Sequence, residues 1–242
     1  MRDLDNAEQK KELLTLVEKI KKQTSNKDDQ ARIATSIVQN IPYDWEGFTT
    51  NDLGAKYPYE VLYTMSGVCG EKSELLVFLL SELGFGVAIF EYDMESHRAV
   101  GIKCPIQYSY QNSGYCFIET TNPTIITDSS GEYINTGQLG SPSEIIIISE
   151  GISFDSVSEE YNDAKEYNAL IAKGTVLNHT DYLKWIGLSN KYGIQTSDSD
   201  TQNLTEESCP INTTLCNNVC WENCNKGTFK CTLTGAVCEI RN

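Results

Sequence analysis

The chain has 242 residues, 40% of them hydrophobic and 10% aromatic, and a formal net charge of −15. That length holds one sizeable core with a smaller appendage, and the composition is that of a globular protein, not of a disordered one. So negative a field repels nucleic acid and anionic membrane surfaces, which are excluded as expected partners; the longest apolar runs, residues 75–80 and 145–148, fall far short of the roughly 20 residues of a bilayer span.

Residues 6–24 carry Leu13, Leu14, Leu16, Val17 and Ile20 at helical spacing, with Lys and Glu between them, which predicts an amphipathic surface helix. A second helix is predicted from Asn26 or Asp28 to Asn40, ending ahead of Pro42. From 41 to 66, Gly, Pro, Thr and Asn interleave with Tyr43, Trp45, Phe48, Tyr57, Tyr59 and Tyr63. This aromatic-rich loop reads either as a cleft wall or as a cover folded onto the core. The helix after Cys69 is apolar at every position from 75 to 80, so burial on most sides is expected, with Gly84 as its left-handed stop. Strands are predicted over 87–92, 97–104 and 115–121, the last two joined through Asn112-Ser-Gly, and a fourth over 145–149. Helical patterns return over 156–173 and 180–191, punctuated by Gly174 and Gly193. The polar stretch 195–208 reads as a flexible linker. Its Asp198 and Asp200 do not make a calcium loop, because Asn203 and Cys209 stand where that loop needs glycine and glutamate. The expected organisation is a main domain over 1–193, a linker over 194–208 and a cysteine-rich module over 209–242.

Nine cysteines fall in two groups: Cys69, Cys104 and Cys116, then Cys209, Cys216, Cys220, Cys224, Cys231 and Cys238. If the six of the tail form three bridges and Cys104 pairs with Cys116, the thiol left over is Cys69. It stands in GVCGEKSELLVFLLSELGF, at the first turn of the predicted buried helix, where free amide hydrogens and the positive end of the dipole favour thiolate over thiol. Acyl transfer by such a thiolate needs a base, usually His, and an acceptor that orients the imidazole.

Only two histidines are present. His179, in the polar Asn178-His-Thr180 between two helices, reads as a surface residue. His97 opens a strand in HRAVGIKC, rigidly held yet able to stay accessible, as a general base requires. In YCFIETTNPT, Tyr115, Phe117 and Glu119 alternate with Cys116, Ile118 and Thr120. An antiparallel hairpin of these two strands sets Cys104 and Cys116 near its closed end and His97 and Glu119 toward its open end.

The order GVCGEKSELLVFLLSELGF, SHRAVGI, YCFIETTNP resembles the transglutaminase-like superfamily of cysteine acyl-transfer enzymes, its prokaryotic and especially archaeal members above all. ARIATSIVQNIPY and YPYEVLYTMSG resemble the segments that precede that core, so the likeness covers about residues 28–125. It implies an α+β, papain-like fold, with the nucleophile helix packed on an antiparallel sheet. It also implies Cys69 as nucleophile, His97 as general base and acid, and Glu119 as the orienting acid, where the family usually has Asp. Cys69 N–H would form part of the oxyanion hole, the second donor being unassigned. No cofactor or metal is implied. The expected substrate is an amide or isopeptide bond of a protein or peptide, with hydrolysis favoured over cross-linking. The competing reading is a non-catalytic domain of the same fold, acting as a cell-surface binding or structural module.

The tail cysteines, with gaps of 6, 3, 3, 6 and 6 residues, fit three disulfides better than zinc, since no histidine accompanies them and a 34-residue module needs staples. With sequons at Asn178, Asn203 and Asn212, this points to an extracellular or cell-surface setting and to a tail that binds, for instance, a cell-envelope component. The opening MRDLDNAEQKKELL is charged throughout, so any export signal is expected outside the chain as given.

Overall fold

The computed structural model describes residues 7–50, 56–130, 132–133, 137–174, 177–194, 213–216, 219–222, 228–232 and 235–239. Among these, seven α-helices accompany a four-stranded antiparallel sheet, giving a mixed α and β fold. The chain divides into two compact units, Met1–Lys165 and Glu166–Asn242.

In the first unit, α1 (Ala7–Gln23) and α2 (Lys27–Gln39) are the two amphipathic helices expected, and Asn26 caps α2 by accepting Asp28 N–H. The aromatic stretch is more regular than a loop. It contains α3 (Trp45–Thr50) and α4 (Pro58–Thr64), the latter started by Pro58 and by Glu60, which accepts Tyr57 N–H, and stopped by Met65 at φ 50°. Helix α5 (Cys69–Glu82) is buried from Glu71 to Leu80, the all-round burial that its apolar run requires.

The sheet runs β3-β2-β1-β6, with β1 Val87–Tyr92, β2 His97–Lys103, β3 Tyr115–Ile118 and β6 Glu144–Ser149, while β4 (Glu132–Tyr133) and β5 (Gly137–Gln138) make a separate antiparallel pair. Helix α5 packs on β1 and β2, and a core of α1, α2 and α5 side chains meets Val87, Ile89, Val100, Ile102, Cys116 and Ile118. Ala88, Phe90, Tyr92, Ala99, Tyr115 and Phe117 form a second apolar cluster. Both sets of alternating strand residues are therefore buried. Register Val100↔Ile118 and Ile102↔Cys116 sets His97 toward the open end of the β2–β3 pair and Cys104 at its closed end. There Cys104 and Cys116 are joined by a disulfide, and Cys69 is a free thiol.

Strand β3 stops three residues short of the predicted end. The amides of Thr120 and Thr121 both donate to the Glu119 carboxylate and so are lost to the ladder. The Cys104–Cys116 bridge closes a loop of sequence separation 12. Replacing both cysteines by Ser is expected to lower unfolding stability by about 3 kcal/mol, read from urea melts, because the unfolded chain regains loop entropy.

Helix α6 spans Ser158–Ile171. In the second unit, Asn178 caps α7 (His179–Tyr192) by accepting Asp181 N–H, and Gly193 ends it at φ 66°. His179 is not a free surface residue: its ring lies 4.2 Å from that of Trp221, whose Nε1–H donates to Cys216 O. The tail pairs β7 (Thr213–Cys216) with β8 (Val219–Glu222) and β9 (Thr228–Thr232) with β10 (Gly235–Glu239), and Cys216 is disulfide-bonded. The linker stretch, Asn203, Asn212, Cys209 and Cys224 lie outside the described residues, as do the side chains of Cys220, Cys231 and Cys238.

Candidate active site

The first turn of α5 is fixed by the segment before it. Gly67 bridges Tyr43 in parallel, receiving Asp44 N–H on its carbonyl and donating its own N–H to Pro42 O. A Cβ at Gly67 would stand 3.2 Å from both Lys72 Cγ and Val61 Cγ1, so the close approach favours glycine. Glu71, in the third helical position, turns back to accept Val68 N–H at 3.1 Å. Cys69 thus sits at the open end of a buried helix, partly exposed.

His97, the first residue of β2, is 3% exposed, and Glu119, just past β3, is fully buried. Imidazole Nε2 and Glu119 Oε2 are 2.8 Å apart. The other carboxylate oxygen, Oε1, accepts Thr120 N–H, Thr121 N–H and the Thr121 hydroxyl, each at 2.9 Å. All acceptor capacity of a buried carboxylate is thereby used, and its extra methylene spans from the amide pair to the ring. With Nε2 engaged, Nδ1 is the nitrogen open to Cys69, whose side chain hydrogen-bonds the imidazole. Burial works against the imidazolium, but the hydrogen bonds and charges of Cys69 and Glu119 outweigh it and push His97 up to about 10.

Structure and sequence agree that Cys69, His97 and Glu119 come together. Two further residues join them: Tyr43, expected only as one aromatic of a cleft wall or cover, and Lys72, to which the sequence pointed in no way. The Tyr43 hydroxyl lies against Cys69, near enough to interact with both its backbone amide and its sulfur. Burial and the adjacent Cys69 and Glu119 charges push its pKa up, so it stays a protonated donor. Lys72, one turn beyond Cys69, is fully buried and donates to Gln39 O at 3.3 Å, Ile41 O at 2.6 Å and Thr121 O at 2.8 Å. It ties α5 to the end of α2 and to the turn after Glu119, while Gln39 Nε2 donates to Glu119 O at 2.9 Å. Burial lowers Lys72 to about 8 against the opposing pull of Glu119 and Cys69.

Lys72→Met leaves two buried carbonyls and one part-buried carbonyl without this donor and removes the cation facing Glu119. A stability loss of about 3 kcal/mol is expected in urea unfolding, well above that for Lys10→Met on the surface. A cleft of about 360 Å³ opens on Cys69 and His97 and is bounded by Val68, Gly70, Tyr92 and several charged side chains. Among the described residues, no cluster of His, Cys, Asp or Glu has the arrangement of a metal site, and no helix is long and apolar enough to cross a membrane.

No family model matches the chain, and no curated protein matches it.

Proposed function

We propose that this protein is a cysteine-dependent acyl-transfer enzyme of transglutaminase-like, papain-like architecture. It acts on amide or isopeptide bonds of proteins or peptides through a thioester on Cys69, with hydrolysis the favoured outcome. The observation that carries this reading is the buried His97 imidazole, held between the Glu119 carboxylate and the only free thiol among the described residues.

The chemistry follows from the geometry. Cys69 Sγ, as thiolate beside the His97 imidazolium, attacks the carbonyl carbon, and the carbonyl oxygen takes the negative charge. Cys69 N–H, which has no acceptor within the helix, and the Tyr43 O–H that lies against it are the two donors to that oxygen. The intermediate collapses as His97 gives its proton to the departing amine nitrogen, leaving a thioester and a neutral imidazole. Water then loses a proton to His97 as its oxygen attacks the thioester; collapse releases the carboxylic acid and restores the thiolate–imidazolium pair. A primary amine in place of water gives a new amide. Glu119 keeps the ring oriented throughout and stabilises its charged form.

The disulfides at Cys104–Cys116 and at Cys216 support an exported or cell-surface location. The two tail hairpins fit an interaction module, with a cell-envelope component as its proposed ligand. Profiling amide and isopeptide substrates, with and without added primary amine, against wild type and Cys69→Ala tests the assignment. Product release is expected from wild type only, and equal release by both proteins would remove the nucleophile.

A further inference from the structure

The cleft beside the nucleophile is unusually acidic even for this acidic protein. Of its eleven lining residues four are carboxylates, Glu71, Glu74, Glu91 and Asp93, against 34 Asp and Glu in 242 residues of the chain. Arg98 is the only Lys or Arg among them. It is already held, with Nη2 donating to Glu91 Oε1 at 2.8 Å and Nη1 to Glu74 Oε1 at 3.4 Å. Glu71 is engaged by the amides of Lys56 and Val68. Asp93, in the turn between β1 and β2, is exposed, and its carboxylate has no hydrogen-bond or ion-pair partner among the described residues. The local excess is three negative charges, and a neutral-sum thiolate–imidazolium pair does not change it. A concave wall of one sign focuses its field on whatever enters.

We infer that the cleft selects substrates carrying a basic side chain, Lys or Arg, beside the reacting acyl group, with Asp93 as its direct partner and the other three carboxylates supplying the field. This rests on Cys69 being the nucleophile of the proposed function. An anionic side chain there meets the same field with opposite sign, so the site discriminates by repulsion as well as attraction. Asp93 touches no reacting atom in this account and acts as a specificity determinant.

The charge of the cleft can be read without turnover. Native protein is treated at low ionic strength with two methanethiosulfonates of equal size, one ending in a trimethylammonium and one in a sulfonate. Modification of Cys69 is followed by intact mass; the thiolate attacks the sulfenyl sulfur and methanesulfinate leaves. Relative to the same pair of reagents on a small free thiol, the cation is expected to be favoured by about tenfold, a preference that shrinks in 1 M salt. Asp93→Asn should cut the preference about threefold, and Asp93→Lys should abolish or invert it. A preference equal to that of the free thiol, or one untouched by Asp93→Lys, overturns the inference. Peptide amides that differ only in Lys, Arg, norleucine or Glu beside the cleaved bond form the second arm. Faster turnover of the basic pair is expected, weakened in Asp93→Lys; turnover blind to the residue overturns the inference while leaving the nucleophile in place. Failure of the nucleophile shows separately, as activity that survives Cys69→Ala. Acceleration by a free alkylamine with no effect of the peptide residue places the cation on the acyl acceptor and counts against a peptide side chain.

Discussion

His97→Ala is expected to lower the rate of thioester formation from an amide by about 10³-fold or more. An amine leaves a tetrahedral intermediate only if it is protonated as the bond breaks, and His97 is the one residue beside Cys69 Sγ that both carries a proton at working pH and can take it back. The loss should fall mainly on kcat, because His97, although it lines the cleft, exposes only 3% of its surface there and its part is to carry the proton. Adding Cys69→Ala to His97→Ala should cost little more, since the two side chains act as one unit. Single-turnover rates with an activated ester and an amide separate the steps. The ester, whose leaving group needs no proton, should suffer less than the amide.

Glu119→Gln is the second large effect, about 10²- to 10³-fold in kcat. The isostere keeps the volume but presents a donor where a buried site supplies donors: Thr120 N–H, Thr121 N–H and the Thr121 hydroxyl all point at Oε1, and His97 Nε2 lies 2.8 Å from Oε2. With the amide oxygen kept on the three Thr donors, its NH2 faces Nε2 and favours the tautomer with the proton on Nδ1, toward Cys69, where the ring cannot act as a base; turned the other way, the NH2 meets three donors. The charge that helps hold His97 up at about 10 is also lost, so the alkaline limb of the rate profile should retreat toward neutral pH. Stability should change with it. Because the folded-state pKa of His97 is raised, its contribution is fully present below the unfolded value of about 6.5 and is lost as pH rises through about 10. Lys72, lowered to about 8, acts with the opposite sign, its cost being relieved as pH rises from about 8. Glu119→Gln lowers His97 and, by removing a charge that holds Lys72 up, lowers Lys72 too, so both groups narrow the difference between wild type and variant as pH rises from 6.5 to 10 in urea titrations.

The parts of the site carried by local pattern were legible in the sequence. Cys69 at a helix start, His97 at a strand start and Glu119 within the next predicted strand each follow from spacing and alternation, and pairing the two strands brings the last two together. Tyr43 and Lys72 were not legible in that way. Tyr43 stood in the sequence among five other aromatics, and its place beside Cys69 depends on the bridge to Gly67, a contact between distant segments. Lys72 reads locally as one more charged helix residue. Its burial is set by carbonyls left free at the end of α2 and in the turn after Glu119, which no helical periodicity encodes. Helices α3 and α4 were hidden for a related reason: six and seven residues are too short for a periodic pattern, and only Pro58 and Glu60 mark the start of α4. The premature end of β3 has its signal in Glu119-Thr-Thr itself, since a carboxylate that collects the next two amides takes them from the ladder.

The central claim is that Cys69 is a nucleophile activated by His97, and native alkylation measures it most directly. Iodoacetamide is added to folded protein across pH 5 to 10, and adducts are located by intact mass and peptide mapping. The account predicts a single fast adduct on Cys69, lost in His97→Ala and weakened in Glu119→Gln. A Cys69 that labels only after denaturation, or at the same rate and with the same pH profile in His97→Ala, would contradict it.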